Sequence, residues 1–298
     1  MEDNAVFAQE RGRLFGLAYR LLGSVSDAED VLQDVHLAWL QQDQSQIANP
    51  AGWLVTVVTR HCLDTLRSAR RQRELYVGVW LPEPLLESTD STAPNPQDTL
   101  ELARNLSLAF VHLLERLTPP ERAVFILRQA FDWSYNDIAG VVDRSEMHCR
   151  QLHKRAREKL DGEPMQHESR NDAQPLLTQF LHTCLSGNYS ALLQQLHTDL
   201  AAYSDGGGKV VALLRPIHGR ERVARFLLRL IQPRAGLWVE PRHINGDPGL
   251  LVFEHGRVTA ALAFCFRDRQ LWRLYSIRNP DKLRHLQPAP DVSHPAQV

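Results

Sequence analysis

Three helix starts follow one another between Thr118 and Ser145, and they leave room only for short helices joined by tight turns. Thr118-Pro119-Pro120-Glu121 opens the first. Threonine can cap, proline fits the first helical position where its missing N–H is not needed, and Glu121 completes a capping box. Ser134 and Ser145 are the next two caps, each a hydroxyl able to take an orphan amide of a first turn. Ile138, Ala139 and Val142 form the inner face of the helix after Ser134. Asp143-Arg144-Ser145 is a turn. Met147, Cys149 or Arg150, Leu152 and Ala156 continue the inner face of the next helix. Ala139 is small where two crossing helices must come close. The segment 134 to 160 therefore predicts a helix-turn-helix.

Its second helix is strongly basic, with Arg144, Arg150, Lys154, Arg155, Arg157 and Lys159. Such a run neutralises phosphates and releases counterions, which gives affinity for nucleic acid without regard to sequence. Glu146, His148 and Arg150 at its N-terminal end are placed to meet base edges. A surface helix with solvated charges would share the basic run but not the caps and the small residue.

Residues 5 to 73 also read as helices. Phe7, Leu14, Leu17, Ala18, Leu21 and Leu22 fall at helical spacing, and Gly23-Ser24 ends that run. Ser26-Asp27-Ala28-Glu29 looks like the next capping box. The helix after it buries Val31, Leu32, Val35 and Trp39. Its outer stripe of Asp27, Asp30 and Asp34 would be repelled by DNA and so should meet a protein. A long helix runs from about Ala51 to Arg73. Leu54, Val57, Val58, Cys62 and Leu66 face inward, and Arg60, Asp64, Arg67 and Arg71 share an outer face, extended by Arg70 and Arg73.

Pro82, Pro84, Pro94 and Pro96 change the character of residues 75 to 98, because proline removes N–H donors and pushes its predecessor out of helical geometry. This is an extended linker, made acidic by Glu83, Glu87, Asp90 and Asp98, and helices resume at about Thr99. Beyond a polar stretch near 172 the pattern turns to α+β: a helix over 173 to 186, another near 219 to 231, and period-two alternation from Val258 to Phe266. Glu254-His255-Gly256-Arg257 and Arg267-Asp268-Arg269-Gln270 are hairpin turns.

The formal net charge of −1 says nothing about nucleic acid; only its uneven distribution does. The four cysteines are far apart and form no C-x-x-C pair, so neither a metal knuckle nor a redox motif is indicated, and no cofactor or metal is called for. No basic-then-apolar leader opens the chain, and no apolar run approaches the ~20 residues needed to span a bilayer. A cytoplasmic protein without a membrane partner is expected. GGGK at 206 to 209 lacks the phosphate-loop spacing and is followed by Val210.

Three stretches taken together resemble an extracytoplasmic-function sigma factor of RNA polymerase. SDAEDVLQDVHLAWL is similar to the family helix that binds the polymerase clamp, which implies Asp27, Asp30, Gln33, Asp34 and Leu37 as core contacts. NPAGWLVTVVTRHCLDTLRSARR resembles the helix that engages the −10 element, implying Arg60, His61, Asp64, Arg67, Arg70 and Arg71. The segment from Leu117 to Leu160 resembles the reader of the −35 element, implying Arg144, Ser145, Glu146, His148, Arg150, Gln151, Lys154, Arg155 and Arg157. Many members have asparagine where His61 stands, and glycine or asparagine where Asp143 stands.

The C-terminal part resembles the SnoaL-like, cystatin-type α+β cone fused to one subgroup of these factors. Trp80-Leu81-Pro82-Glu83-Pro84, Asp205-Gly206-Gly207-Gly208-Lys209 and Asn279-Pro280-Asp281-Lys282-Leu283 fit that subgroup. The resemblance implies a multidomain chain: an all-α sigma-2 domain at 1–75, a linker at 76–100, a helix-turn-helix sigma-4 domain at 101–163 and the cone at 172–287. Its partners would be core RNA polymerase and promoter DNA. The cone would tune activity from within, in place of a separate anti-sigma factor, and could hold a small molecule. Asp199, His197 and His218 are the candidates were the cone an enzyme, a reading that the fold alone does not support.

Overall fold

The structure, a computed structural model, describes residues 5–86, 107–161, 170–230 and 236–287. The expected resumption of helix at Thr99 and the acidic Glu87, Asp90 and Asp98 lie outside these residues. So do the side chains of Arg70, Arg71 and Arg73. The chain divides into two compact units, residues 1–75 with 110–163, and residues 76–109 with 164–298.

The first unit is all helix. α1 (Ala5–Leu22), α2 (Val25–Gln41) and α3 (Pro50–Glu74) bury the apolar stripes expected of them, with Leu14, Leu17, Val35, Trp39, Leu54, Val58 and Cys62 each at 1% exposure or less. Val57 is only half-buried, and Val55 and Leu63 take its place inside. The cap of α2 is Ser24, not Ser26: its hydroxyl accepts from the Asp27 amide at 3.1 Å. Gly23 at φ +67 ends α1 so abruptly that the next helix starts at Val25. After α4 (Leu108–Leu114), the helices α5 (Pro119–Ala130), α6 (Tyr135–Val142) and α7 (Glu146–Leu160) start at the three expected caps. The two stretches of the unit are tied by buried Arg122, which donates to the Leu21 carbonyl and to Glu115, both at 2.6 Å.

The second unit is α+β with a mixed sheet. α8 (Arg170–Leu185) and α9 (Tyr189–Gln194) lead into β1 (Leu196–Asp205). β2 (Ile217–His218), α10 (Arg220–Leu230), β3 (Leu237–Ile244), β4 (Asp247–Glu254), β5 (Arg257–Arg267), β6 (Gln270–Ile277) and a 3-10 helix (Pro280–Leu286) follow. The strand order is β2-β1-β6-β5-β4-β3, with β1 parallel to β6 and every other pair antiparallel. Both expected hairpin turns are present. His255-Gly256 and Asp268-Arg269 have positive φ at both central residues, as a two-residue turn matched to strand twist requires. Asn245-Gly246 makes a third.

The β5 alternation is not uniform. Opposite the Val252-Phe253 step the register slips, so that Val258 shares a face with Ala261, Ala263 and Cys265 while Phe264 and Phe266 take the other. Both faces are consequently buried. One carries α8 and α10 through Leu177, Phe180, Val223 and Leu227. The other carries Trp272, Tyr275 and Ile277, and it is covered by Leu81 of the linker, Leu108 and Leu283.

Candidate nucleic-acid, polymerase and linker-docking sites

α6 and α7 form the helix-turn-helix. Asp143 caps α6 in the left-handed conformation (φ 54), donating its N–H to Ala139. Ser145 then caps α7 by accepting from the His148 amide at 3.2 Å. Cys149, Leu152 and Ala156 set the buried phase of α7. Met147 stands two residues, about 200°, from Cys149, and so it is 71% exposed where an inner position was expected. Arg144, Ser145, Glu146, Arg150, Gln151, Lys154, Arg155 and Arg157 are all exposed and His148 is half-buried. Glu146 pairs with Arg150 at 2.5 Å and Glu158 with Lys154 at 3.8 Å. Two residues that spacing did not single out belong to this surface: the Tyr135 hydroxyl and His153 Nδ1 are 2.8 Å apart. A histidine on the otherwise apolar inner face was the available signal.

On α3, Arg60, Asp64 and Arg67 are exposed and His61 is half-buried. Arg67 pairs with Asp64 at 2.8 Å. Arg60 has a protein acceptor: its guanidinium donates to the Gly140 carbonyl at 2.8 Å, and at 3.4 Å to that of Val141. These carbonyls lie in the last turn of α6, where no intrahelical donor reaches them. On α2, Asp30, Gln33, Asp34 and Leu37 share one exposed face, with Leu37 52% exposed; Asp27 is half-buried in the first turn.

The linker residues 76 to 86 pack on the second unit. Leu81, Pro82, Glu83 and Pro84 are buried and Trp80 is half-buried. The centre is Asp205, at 0% exposure. Its Oδ1 accepts from the Tyr76 hydroxyl at 2.5 Å and the Gly207 amide at 3.0 Å; its Oδ2 accepts from the Leu81 amide at 2.9 Å and Lys282 Nζ at 2.8 Å. Lys282 also donates to the Leu81 carbonyl and lies 3.9 Å from the Trp80 ring centre. Asn279 donates to the Tyr76 oxygen at 2.8 Å. Burial, and after it the Asp205 carboxylate, push the Tyr76 phenol up. At the rim, the Lys209 ammonium beside Asp281 holds that carboxyl below the usual range. His285 meets the Pro84 carbonyl at 2.8 Å, and Leu85 and Asn245 exchange two hydrogen bonds at 2.8 and 2.9 Å.

The glycines of this loop are required by close approach. A Cβ on Gly207 would stand 2.3 Å from Asn279 Nδ2, and one on Gly206 2.5 Å from the Val210 carbonyl. The residues after the loop, 209 to 216, are irregular and not a helix, so nothing here resembles a phosphate loop. Glu83, one of the acidic linker residues, is buried with its neighbours. His197 is half-buried and Asp199 and His218 are exposed, and none of the three belongs to either core.

Helices of this order and chemistry are those of sigma factors. The model of sigma-70 region 2 matches residues 6–72 and that of sigma-70 region 4 matches residues 107–160. The chain belongs to the extracytoplasmic-function RNA polymerase sigma factors. It is 34% identical over 288 residues to the sigma factor SigJ of Mycobacterium tuberculosis (strain ATCC 25618 / H37Rv), covering 93% of this chain and 91% of the relative. It is 30% identical over 294 residues to the probable sigma factor SigI of M. tuberculosis (strain CDC 1551 / Oshkosh), covering 95% and 96%. The crystal structure of SigJ aligns with a TM-score of 0.75 at 30% identity, covering 94% of this chain and 98% of the other.

Proposed function

We propose that this chain binds core RNA polymerase through the exposed face of α2 and directs it to promoters, with α3 at the −10 element and α7 at the −35 element. One observation carries this reading. A single helical unit presents an acidic face with an exposed leucine on α2 and a basic, capped helix-turn-helix on α6 and α7. The acidic face suits a protein and the basic one suits phosphates. The relatives are sigma factors and not enzymes, and this chain works in the cytoplasm, where core polymerase is. Among the described residues no helix is long and apolar enough to cross a membrane.

The domains follow the family pattern: sigma-2 at 1–75, linker at 76–100, sigma-4 at 101–163 and a SnoaL-like domain at 172–287. That last domain regulates by holding the linker in the Asp205–Lys282 clasp, in place of a separate anti-sigma factor. Leu81, Trp272, Tyr275 and Leu283 fill the sheet face opposite the helices. This favours the linker over a small molecule as its occupant.

Run-off transcription with purified core tests the reading. The full chain should direct specific initiation, and Asp30→Arg with Asp34→Arg should abolish core binding without lowering thermal stability. A wild-type chain that does not bind core refutes it.

A further inference from the structure

Along α7 from Arg150 to its C-terminal end lies a cavity of about 350 Å³, lined by Tyr135 and by Arg150, His153, Lys154 and Arg157. Its construction exceeds what a solvated basic face needs. The Tyr135 ring carries the Arg150 guanidinium 4.5 Å from its centre and that of Arg128 at 5.5 Å. Its hydroxyl is anchored 2.8 Å from His153 Nδ1. His153 is 8% exposed, and its Nε2 is buried with no hydrogen-bond partner among the described residues. An orphaned buried polar atom is costly unless something meets it. Glu158 and Asp161 stand at the same cavity and limit its positive charge, which suits a singly charged anion.

We propose that this cavity seats one phosphodiester of the promoter backbone, gripped by Arg150, Lys154 and Arg157, and that His153 is a positioning residue acting through Tyr135. The proposal rests on α7 being the −35 reader, and adds to it a fixed anchor that sets the register of the helix on the duplex. Burial, then Arg157 and Arg128, hold the His153 imidazole below its ordinary value, so the empty seat favours its neutral form. A phosphate at the seat offsets those cations and favours its protonation.

The test uses holoenzyme assembled from the full chain and core, with −35 duplexes carrying a single neutral methylphosphonate at successive positions. One position should weaken binding and lower the slope of log affinity against log salt by about 0.9. Arg157→Ala should cause the same loss, and the two together should do no more than either alone. Promoter affinity of the wild type should rise as pH falls from about 7.5 to 6, and His153→Gln should reduce that slope. Arg128, Tyr135, Arg150, Lys154, Arg157, Glu158 and Asp161, which surround His153, are the same in both proteins, as are His61 and His148. Strict additivity of Arg157→Ala with every methylphosphonate overturns the proposal. So does an unchanged pH slope, or displacement of DNA by millimolar inorganic phosphate without methylphosphonate coupling, which would mark a free-anion site. Specific run-off that persists under those outcomes leaves the sigma reading standing; its absence in the wild type refutes that reading instead.

Discussion

Replacing Lys282 with methionine should release the linker from the second unit. The Lys282 side chain is 8% exposed and Asp205 0%, and they meet at 2.8 Å. Methionine keeps the apolar stem but removes the donor to Asp205 and the donor to the Leu81 carbonyl. Tyr76, Gly207 and Leu81 would still donate to the carboxylate, yet its charge would stay buried without a counter-charge. Removing one partner of a buried pair costs about 3–5 kcal/mol. At about 1.4 kcal/mol per factor of ten, that is a loosening of roughly 150- to 4000-fold. Native-state hydrogen exchange reads it directly, because the Leu81 amide donates to Asp205 and the Leu85 amide to Asn245. Both amides should exchange faster by about that factor, while those of α5 should not change. Lys209→Met removes the rim pair with Asp281, whose partners are 52% and 39% exposed, and should cost under about 1 kcal/mol. Exchange at Leu81 within threefold of wild type in Lys282→Met would refute the reasoning.

Asp143→Gly should stabilise the helical unit by up to about 1 kcal/mol, since Asp143 holds φ 54 and glycine adopts it without a Cβ clash; thermal unfolding measures it. Ser145→Ala removes the cap on the His148 amide and should cost about 1 kcal/mol, with a matching loss of −35 affinity in gel-shift titration. Burial alone would raise the Glu121 carboxyl, but Lys159 and the Thr118 amide and hydroxyl outweigh it and hold it below its ordinary 4.5. A depressed carboxyl stabilises the fold above its unfolded value and loses that stabilisation as pH falls through the lower folded one. The Tm gap between wild type and Glu121→Gln should therefore be full near pH 6 and close as pH drops below about 4.5.

What could be read from the residues was mostly local. Ser134 and Ser145 cap helices because each hydroxyl reaches an amide three residues on, and Thr118 because Glu121 reaches back to its amide, geometries the backbone imposes. The same rule placed a cap at Ser26. Ser24 took the role because the left-handed Gly23 already turns the chain there. Met147 is apolar but out of phase with Cys149, Leu152 and Ala156, and phase decides which side chains of α7 are buried. The β5 alternation was legible, but the slip that turns Val258 to the other face depends on its pairing with β4.

The sequence by itself determined where helices start and stop, which face of each is apolar, and where acidic and basic surfaces lie, since those follow from hydrogen bonds and periodicities spanning a few residues. Only the tertiary structure decided what the charges do. Arg60 looks like any exposed base on α3 until the α6 carbonyls are found 2.8 Å away, 80 residues along the chain. Lys282 looks like a turn lysine until it is found buried against Asp205 and the Leu81 carbonyl, 201 residues from it. Burial sets whether such a group is screened by water or must be paired, and burial is a property of chain segments meeting, not of their order.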